Sequence, residues 1–188
     1  GDNYTGFGNN GSVKKYFLDN SNGALTYSNV VTVYIRVPNS LHPKSWYNDT
    51  SQDCGRQGNL LVRDALTIMK ALPNYATEIL PTFQNLSVDA SNQVQAVNVF
   101  FAGYNSGVWA KGLWPHSWEL EEVGAQELSP GGKRVYWYQI TDIGNTLTLG
   151  TFCHENGHML CGYPDIYDYD SDSEGGAGMF CLMNSGGH

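Results

Sequence analysis

Basic residues are scarce in this chain of 188 residues. It carries 10 lysines and arginines against 18 aspartates and glutamates, a formal net charge of −8. A nucleic-acid partner needs a basic face, and no basic cluster here supplies one. No apolar run approaches the ~20 residues that a helix needs to cross a bilayer. We therefore predict one domain with a sizeable core, no nucleic-acid partner and no membrane span.

The chain also lacks an initiator methionine and a signal peptide, so we interpret it as a processed or trimmed form. Lysine is scarce, whereas asparagine, serine, glycine, tyrosine and tryptophan are frequent. This composition is common in extracellular proteins, and it predicts a secreted protein.

Cysteine is limited to Cys54, Cys153, Cys161 and Cys181, which allow three complete pairings. Cys153 and Cys161 are separated by about 12 Å of rise on a predicted helix, which is too far for a disulfide. Of the two pairings that remain, one joins Cys161 to Cys181 and Cys54 to Cys153. The alternative is four buried free thiols.

The most informative feature of the chain is the pentapeptide His154-Glu155-Asn156-Gly157-His158. Two histidines four residues apart on a helix lie one turn from each other, so both imidazoles can bind one tetrahedral metal ion. A carboxylate after the first histidine projects beside the metal, where it can accept a proton from water. The pattern predicts a zinc site with Glu155 as the general base of a peptidase.

The flanking sequence places this pentapeptide in the last turns of a helix. Apolar residues at helical spacing surround it, and Gly162 and Pro164 end the helix. The chain then enters a turn at residues 163–168, from which an oxygen ligand could complete the metal's protein ligands.

Two further segments, Pro164-Asp165-Ile166-Tyr167-Asp168 and Phe180-Cys181-Leu182-Met183, follow the pentapeptide. Together the three resemble the immune inhibitor A-like secreted metallopeptidases, which are zincins related to the metzincins. Segments 16–23, 98–103 and 113–118 also look familial, so the resemblance touches most of the chain.

The resemblance implies that His154, His158 and Asp165 bind zinc, that Glu155 is the catalytic base, and that Met183 forms a Met-turn beneath the metal. It also implies a single catalytic domain over residues 1–188. The upper lobe would extend to about residue 162, and residues 163–188 would begin a lower lobe that is truncated after the Met-turn.

The third zinc ligand departs from the related pattern. There, a glycine follows the second histidine by three residues and the ligand comes three residues later, whereas here Cys161 and Pro164 hold those places. We expect Asp165 to bind zinc although it comes one residue late, because the Pro-Asp-x-Tyr-Asp run keeps its internal spacing. Asp168 is the alternative, and a Cys161 thiolate is chemically feasible.

Acidic residues crowd into segment 165–174, at Asp165, Asp168, Asp170, Asp172 and Glu174. Hard oxygen ligands at alternating positions can bind calcium, which makes Ca²⁺ a candidate second cofactor. We prefer a solvated acidic loop, since Asp165 is already assigned to zinc.

The hydrophobic pattern predicts an α+β fold. The predicted elements are a helix at 13–18, a strand at 30–37, a loop at 38–58, a helix at 60–72, strands at 97–102, 114–119 and 135–140, and the zinc helix. This order is that of a zincin-like upper lobe, with a twisted mixed sheet, a backing helix and a zinc-binding active-site helix. We expect His116 to be a structural histidine bonded to the backbone.

These observations predict a secreted zinc-dependent endopeptidase that acts on proteins or peptides. The substrate would lie along the edge strand at 114–119, and Tyr167 is the candidate stabiliser of the transition state. The competing prediction is a catalytically inactive, zincin-fold extracellular binding module that keeps a structural zinc and recognises its partner through exposed tryptophans and tyrosines. The end of the chain soon after Met183 favours the module, whereas an intact Glu155 favours the enzyme.

Overall fold

The structure is a computed structural model that describes residues 12–29, 33–144, 149–173 and 175–186. The chain divides into two compact units, Gly1–Thr32 and Val33–His188. In the first unit, helix α1 (Val13–Asn20) begins after Ser12, whose side chain accepts a hydrogen bond from the Lys15 N–H. The helix predicted at 13–18 is therefore confirmed. All residues of the candidate site lie in the second unit.

Among the described residues of the second unit, three helices come before five successive strands, and a further helix follows the strands. The helices are α2 (Lys44–Tyr47), α3 (Cys54–Lys70), α4 (Leu80–Phe83) and α5 (Leu149–Cys161), with a π-helical turn at Tyr75–Ile79 and a 3-10 turn at Gly178–Phe180. The strands are β1 (Asn98–Ala102), β2 (His116–Glu119), β3 (Gln126–Glu127), β4 (Arg134–Val135) and β5 (Trp137–Ile143). The α+β class predicted from the sequence is confirmed.

The main sheet is mixed, as predicted, with the strand order β1-β5-β2. Strand β1 runs parallel to β5 with Asn98 opposite Gln139, and β2 runs antiparallel to β5 with Ser117 opposite Gln139. The segment predicted as one strand at 135–140 is divided between β4 and β5. Strand β2, at the predicted position of 114–119, lies at an edge of this sheet.

Two other predictions fail in the described residues. Residues 33–37 belong to no strand, and residues 30–32 of the same predicted strand lie outside the described part of the chain. Their β-branched side chains favour a strand only when a neighbouring strand pairs with them, and β1, β2 and β5 pair with one another instead. The predicted loop at 38–58 contains α2 and the start of α3, which Asp53 caps by accepting a hydrogen bond from Gly55 N–H.

Helices α3 and α5 pack on opposite faces of the main sheet. Side chains alternate between the faces of a strand, so Tyr138 and Gln139 face opposite ways. Tyr138 lies against α3, because a Cβ built on Gly58 would approach its hydroxyl to 2.6 Å. On the other face, the Asn156 amide of α5 donates to Asn98 Oδ1 at 2.9 Å. Both faces of β5 are consequently buried, with Tyr138 and Gln139 each 0% exposed.

His116 belongs to the α3 face, where both of its ring nitrogens have partners. Nδ1 lies 2.6 Å from the Trp114 carbonyl, and Nε2 lies 2.9 Å from the Tyr138 hydroxyl. Burial lowers the pKa of His116 to about 4. The prediction of a structural histidine bonded to the backbone is confirmed.

Within the described residues, no helix combines the length and the apolar character that crossing a membrane requires.

Candidate metal centre

Helix α5 carries both histidines of the pentapeptide, and a left-handed turn ends it directly after them. Gly162 has φ +64°, a conformation that glycine adopts without the steric cost that a Cβ imposes. The N–H groups of Gly162 and Tyr163 donate to the carbonyls of His158 and Gly157 at 3.0 and 3.3 Å. This turn reverses the chain so that the residues after it pass in front of the histidines.

Three side-chain atoms from α5 and this turn converge on one point. His154 Nε2 and His158 Nε2 lie 3.0 and 3.3 Å from Asp165 Oδ1, and the two Nε2 atoms are 3.1 Å apart. Ligands bound tetrahedrally to zinc at ~2.0–2.1 Å are separated by about 3.3 Å. The three edges of the triangle are therefore close to the ligand separations of a tetrahedral zinc site, and Asp165, not Asp168, is the carboxylate beside the two histidines.

The other nitrogen of each imidazole fixes its tautomer. His154 Nδ1 lies 2.7 Å from the Leu182 carbonyl, and His158 Nδ1 lies 2.5 Å from the Tyr163 carbonyl. A carbonyl only accepts hydrogen bonds, so each Nδ1 carries a proton, and the neutral form of each ring then presents its lone pair at Nε2. Backbone partners of this kind orient metal-binding histidines.

The same geometry leaves three acceptors facing one another. Asp165 Oδ1 is buried and accepts no hydrogen bond in the described residues. A proton on one imidazole would satisfy only one pair, whereas a divalent cation between the three atoms would satisfy all of them. Two nitrogens and one carboxylate oxygen form a donor set typical of a catalytic zinc site, and the residues present thus fit this metal.

Glu155 lies between this triangle and the edge strand β2. Its side chain is buried, at 6% exposure, and the backbone N–H of Ser117 donates to its carboxylate. Burial and, second to it, the charge of Asp165 raise the pKa of Glu155 to about 8, against the hydrogen bond from Ser117. A cation at the triangle would oppose this rise, because it favours the ionised carboxylate.

Met183 packs against the helical turn that carries the histidines. A Cβ built on Gly157 would lie 2.8 Å from Met183 Sδ, so the methionine occupies the space beside that glycine. The carbonyl of Met183 accepts a hydrogen bond from Ile166 N–H at 3.0 Å. The segment around Met183 therefore supports both the helix and the turn that carries Asp165.

The alternative ligands lie elsewhere in the described residues. Asp168 accepts hydrogen bonds from the Ser173 backbone and hydroxyl at 3.2 and 2.9 Å, and its carboxylate groups with those of Asp170 and Asp172. Cys161 contributes no atom to the triangle. Glu174 lies outside the described residues, and calcium binding by the acidic segment stays a prediction.

All four cysteines are free thiols, and neither pairing considered from the sequence is formed. Burial raises the pKa of both Cys54 and Cys153 to about 11. Both thiols are therefore protonated at neutral pH.

Several groups at the site have no signature in the sequence. The carbonyls of Tyr163 and Leu182 and the N–H of Ser117 are backbone groups, which any residue would supply. Tyr169 donates from its hydroxyl to Asp165 Oδ2 at 3.4 Å, and only its spacing of four residues from Asp165 could have indicated it. The ring of Tyr167, which the sequence did indicate, lies 6.0 Å from the ring of His154.

Comparison with known proteins finds no family model that matches the chain and no curated protein with significant similarity to it. The function must therefore be argued from the site itself.

Proposed function

We propose that this chain is a zinc-dependent endopeptidase with a zincin-like catalytic domain. The observation that carries the proposal is the triangle of His154 Nε2, His158 Nε2 and Asp165 Oδ1, with edges of 3.0 to 3.3 Å. A buried carboxylate, Glu155, stands directly beside it. A purely structural zinc site has no use for such a carboxylate.

His154, His158 and Asp165 would hold the zinc, which would supply a Lewis acid able to polarise the scissile carbonyl and acidify a water molecule. Glu155 accepts a proton from that water and returns it to the leaving amine. The N–H of Ser117 holds the carboxylate in position for both transfers.

Strand β2 supplies the edge along which an extended substrate would pair. Its residues alternate between facing β5 and facing outward, and the N–H of Ser117 faces outward, toward Glu155. At the other end of the strand, Asn59 of α3 donates to the Glu119 carbonyl at 2.9 Å. A substrate would pair with the groups of this edge that Glu155 and Asn59 leave free, by strand addition.

The family and the location of the protein rest on the sequence. The pentapeptide, the Pro164–Asp168 run and the segment that ends at Met183 support membership of the immune inhibitor A-like secreted metallopeptidases. Secretion rests on that resemblance and on the composition.

Metal content and cleavage test the proposal together. Purified protein should carry about one zinc per chain and should cut an unstructured protein substrate such as casein until a chelator is added. Glu155→Gln keeps the size and shape of the side chain but cannot carry a proton. We expect it to keep the zinc and to lose at least ~10²–10⁴-fold in turnover.

The matched control is His154→Ala, which should lose the zinc itself because one of three ligands is missing. Full zinc occupancy in that variant would refute the metal site. A zinc-loaded wild type that cuts no peptide, and that binds a partner as well as the Glu155→Gln variant does, would instead support the inactive binding module.

A further inference from the structure

A buried polar contact joins helix α5 to the main sheet. Asn156 of α5 donates from Nδ2 to Asn98 Oδ1 at 2.9 Å and to the Phe152 carbonyl at 2.8 Å. Asn98 of β1 is the register partner of Gln139 on β5, so both of these side chains project from the face of the sheet that α5 covers. Asn156 and Gln139 are each 0% exposed.

Two atoms of this contact have no hydrogen-bond partner within the described residues. They are Asn156 Oδ1 and Gln139 Nε2, and both are buried. The Phe152 carbonyl fixes the orientation of the Asn156 amide, because a carbonyl must face the donor Nδ2. Gln139 Oε1 accepts from the Thr141 hydroxyl at 2.6 Å. One acceptor and one donor are thus left beside Asn98 without partners.

A single water molecule would satisfy both atoms. Water can donate to a carbonyl oxygen while it accepts from an amide N–H, and buried waters typically make about three such bonds to polar groups that otherwise lack partners. Apolar packing alone does not explain two amides at this position. An unpaired buried amide costs free energy that an aliphatic side chain of the same size does not.

Asn156 also lies within the pentapeptide that carries the candidate zinc ligands. Successive residues of a helix are ~100° apart around its axis, so Asn156 projects toward the sheet from the side of α5 opposite to His154 and His158. One turn earlier, the ring of Phe152 stacks on that of Phe100 at 5.1 Å. Hydrogen bonds have a preferred direction, whereas apolar contacts do not. The contact at Asn156 therefore restrains the rotation and sliding of α5 more closely than the stacked rings do.

We propose that Asn156 and Gln139 bind one internal water molecule between α5 and β5, and that this hydrogen-bonded contact positions the zinc ligands of α5. Both are positioning residues, since neither contributes an atom to the metal triangle. The positioning of zinc ligands rests on the proposed function, whereas the water site does not depend on a metal.

A high-resolution crystal structure of the wild type tests the water site. We expect one ordered water within hydrogen-bond distance of both Asn156 Oδ1 and Gln139 Nε2. Two amides that bond directly to each other, or the lack of any water bonded to both, would overturn this site. The outcome is the same for zinc-free and zinc-loaded crystals, so it is independent of the peptidase proposal.

Two variants of nearly the same shape test the positioning. Asn156→Thr keeps a hydroxyl that can bond to Asn98 or to the water, whereas Asn156→Val has no polar group. Competition with a chromophoric chelator measures zinc affinity, and the visible absorption spectrum of the Co²⁺-substituted protein reports the ligand geometry. We expect Asn156→Val to bind zinc about 10-fold more weakly than the wild type and to shift the cobalt spectrum. Asn156→Thr should recover most of both.

Gln57→Leu is the matched control. Gln57 of α3 is also buried, at 3% exposure, and its Oε1 also lacks a partner within the described residues. Its replacement should change the stability to urea but leave the zinc affinity and the cobalt spectrum as they are. Circular dichroism shows whether each variant is folded. If Asn156→Val misfolds, Gln139→Met removes the other partner and tests the same contact.

Wild-type zinc affinity and an unchanged cobalt spectrum in Asn156→Val would overturn the positioning. Equal weakening of zinc binding in Gln57→Leu would also overturn it, because the effect would then be general destabilisation. In both cases the peptidase proposal stands if the wild type binds zinc and cuts protein. A wild type that binds no zinc refutes the peptidase proposal together with the positioning, and the crystal structure then decides the water site alone.

Discussion

Asp165 lies beside the two histidines across the turn that follows α5. The turn begins at Gly162, which adopts a positive φ and whose N–H bonds back to His158. The position of Asp165 is thereby set by backbone geometry as well as by its place in the sequence.

This geometry predicts a difference between two neighbouring aspartates. Asp165→Ala should lower the zinc content well below one ion per chain after desalting, because it removes one of three ligands. Asp168→Ala is the matched control and should keep the zinc, since Asp168 bonds to Ser173. Metal analysis of both variants measures the effect, and the opposite pattern would assign the ligand to Asp168.

At the scale of single residues, the sequence predicted which side chains form the candidate site, but it did not predict the backbone groups that hold those side chains in place. The spacing of His154 and His158 on a helix dictates that they share a face, and the structure brings Asp165 to them. The carbonyls of Leu182 and Tyr163 fix both tautomers. These are backbone groups, so only the folded chain reveals them.

At the scale of secondary-structure elements, helices and buried strands were predictable where the hydrophobic pattern of the sequence was long and periodic. Strands β1 and β2 lie where the sequence placed them, and helix α3 covers most of the helix predicted at 60–72 but begins earlier, at Cys54. The strand predicted at 30–37 failed over residues 33–37, because a strand depends on a partner that its own sequence does not specify. The π-helical turn at Tyr75–Ile79 had no sequence signal of its own.

The close approach of α3 to the sheet predicts the effect of one methyl group. Alanine is favoured over glycine in a helix by about 1 kcal/mol, but a Cβ at Gly58 would lie 2.6 Å from the Tyr138 hydroxyl and 2.7 Å from His116 Cε1. Both rings are held by hydrogen bonds and cannot easily move. We expect Gly58→Ala to lower the free energy of unfolding by about 1–3 kcal/mol, measured by urea denaturation.

Gly55 is the matched position on the same helix. A Cβ there would come no closer than 3.2 Å to Asp53 Oδ1, so Gly55→Ala should change stability by less than about 1 kcal/mol. Equal stability of the Gly58→Ala variant and the wild type would show that α3 lies farther from β5 than the structure places it.

At the scale of the whole molecule, the two faces of strand β5 pack against two different helices. One face packs against α5, which carries the candidate metal centre, and the other packs against α3 through the hydrogen-bonded group of Asn59, His116 and Tyr138. A change on the α3 face can therefore reach the edge strand β2, to which His116 belongs, without contacting a residue of the candidate centre.

The buried His116 predicts how the stability of the molecule depends on pH. Its pKa is lowered from 6.5 to about 4 in the folded protein. Above pH 6.5 the residue is neutral in both states and has no effect. Between pH 6.5 and 4 the unfolded chain binds a proton that the folded chain does not. The free energy of unfolding therefore decreases as the pH is lowered through this range, by up to about 3 kcal/mol.

Urea denaturation of the wild type and of His116→Gln at several pH values measures this loss. The difference between the two proteins isolates the contribution of His116, because the carboxylates contribute equally to both. The variant should lack the part of the slope between pH 6.5 and 4, whereas His42→Gln, which leaves His116 in place, should retain it. If the wild type and His116→Gln lose stability in parallel as the pH falls, His116 takes up its proton in the folded protein. The bond from Tyr138 to Nε2 would then not hold the ring neutral.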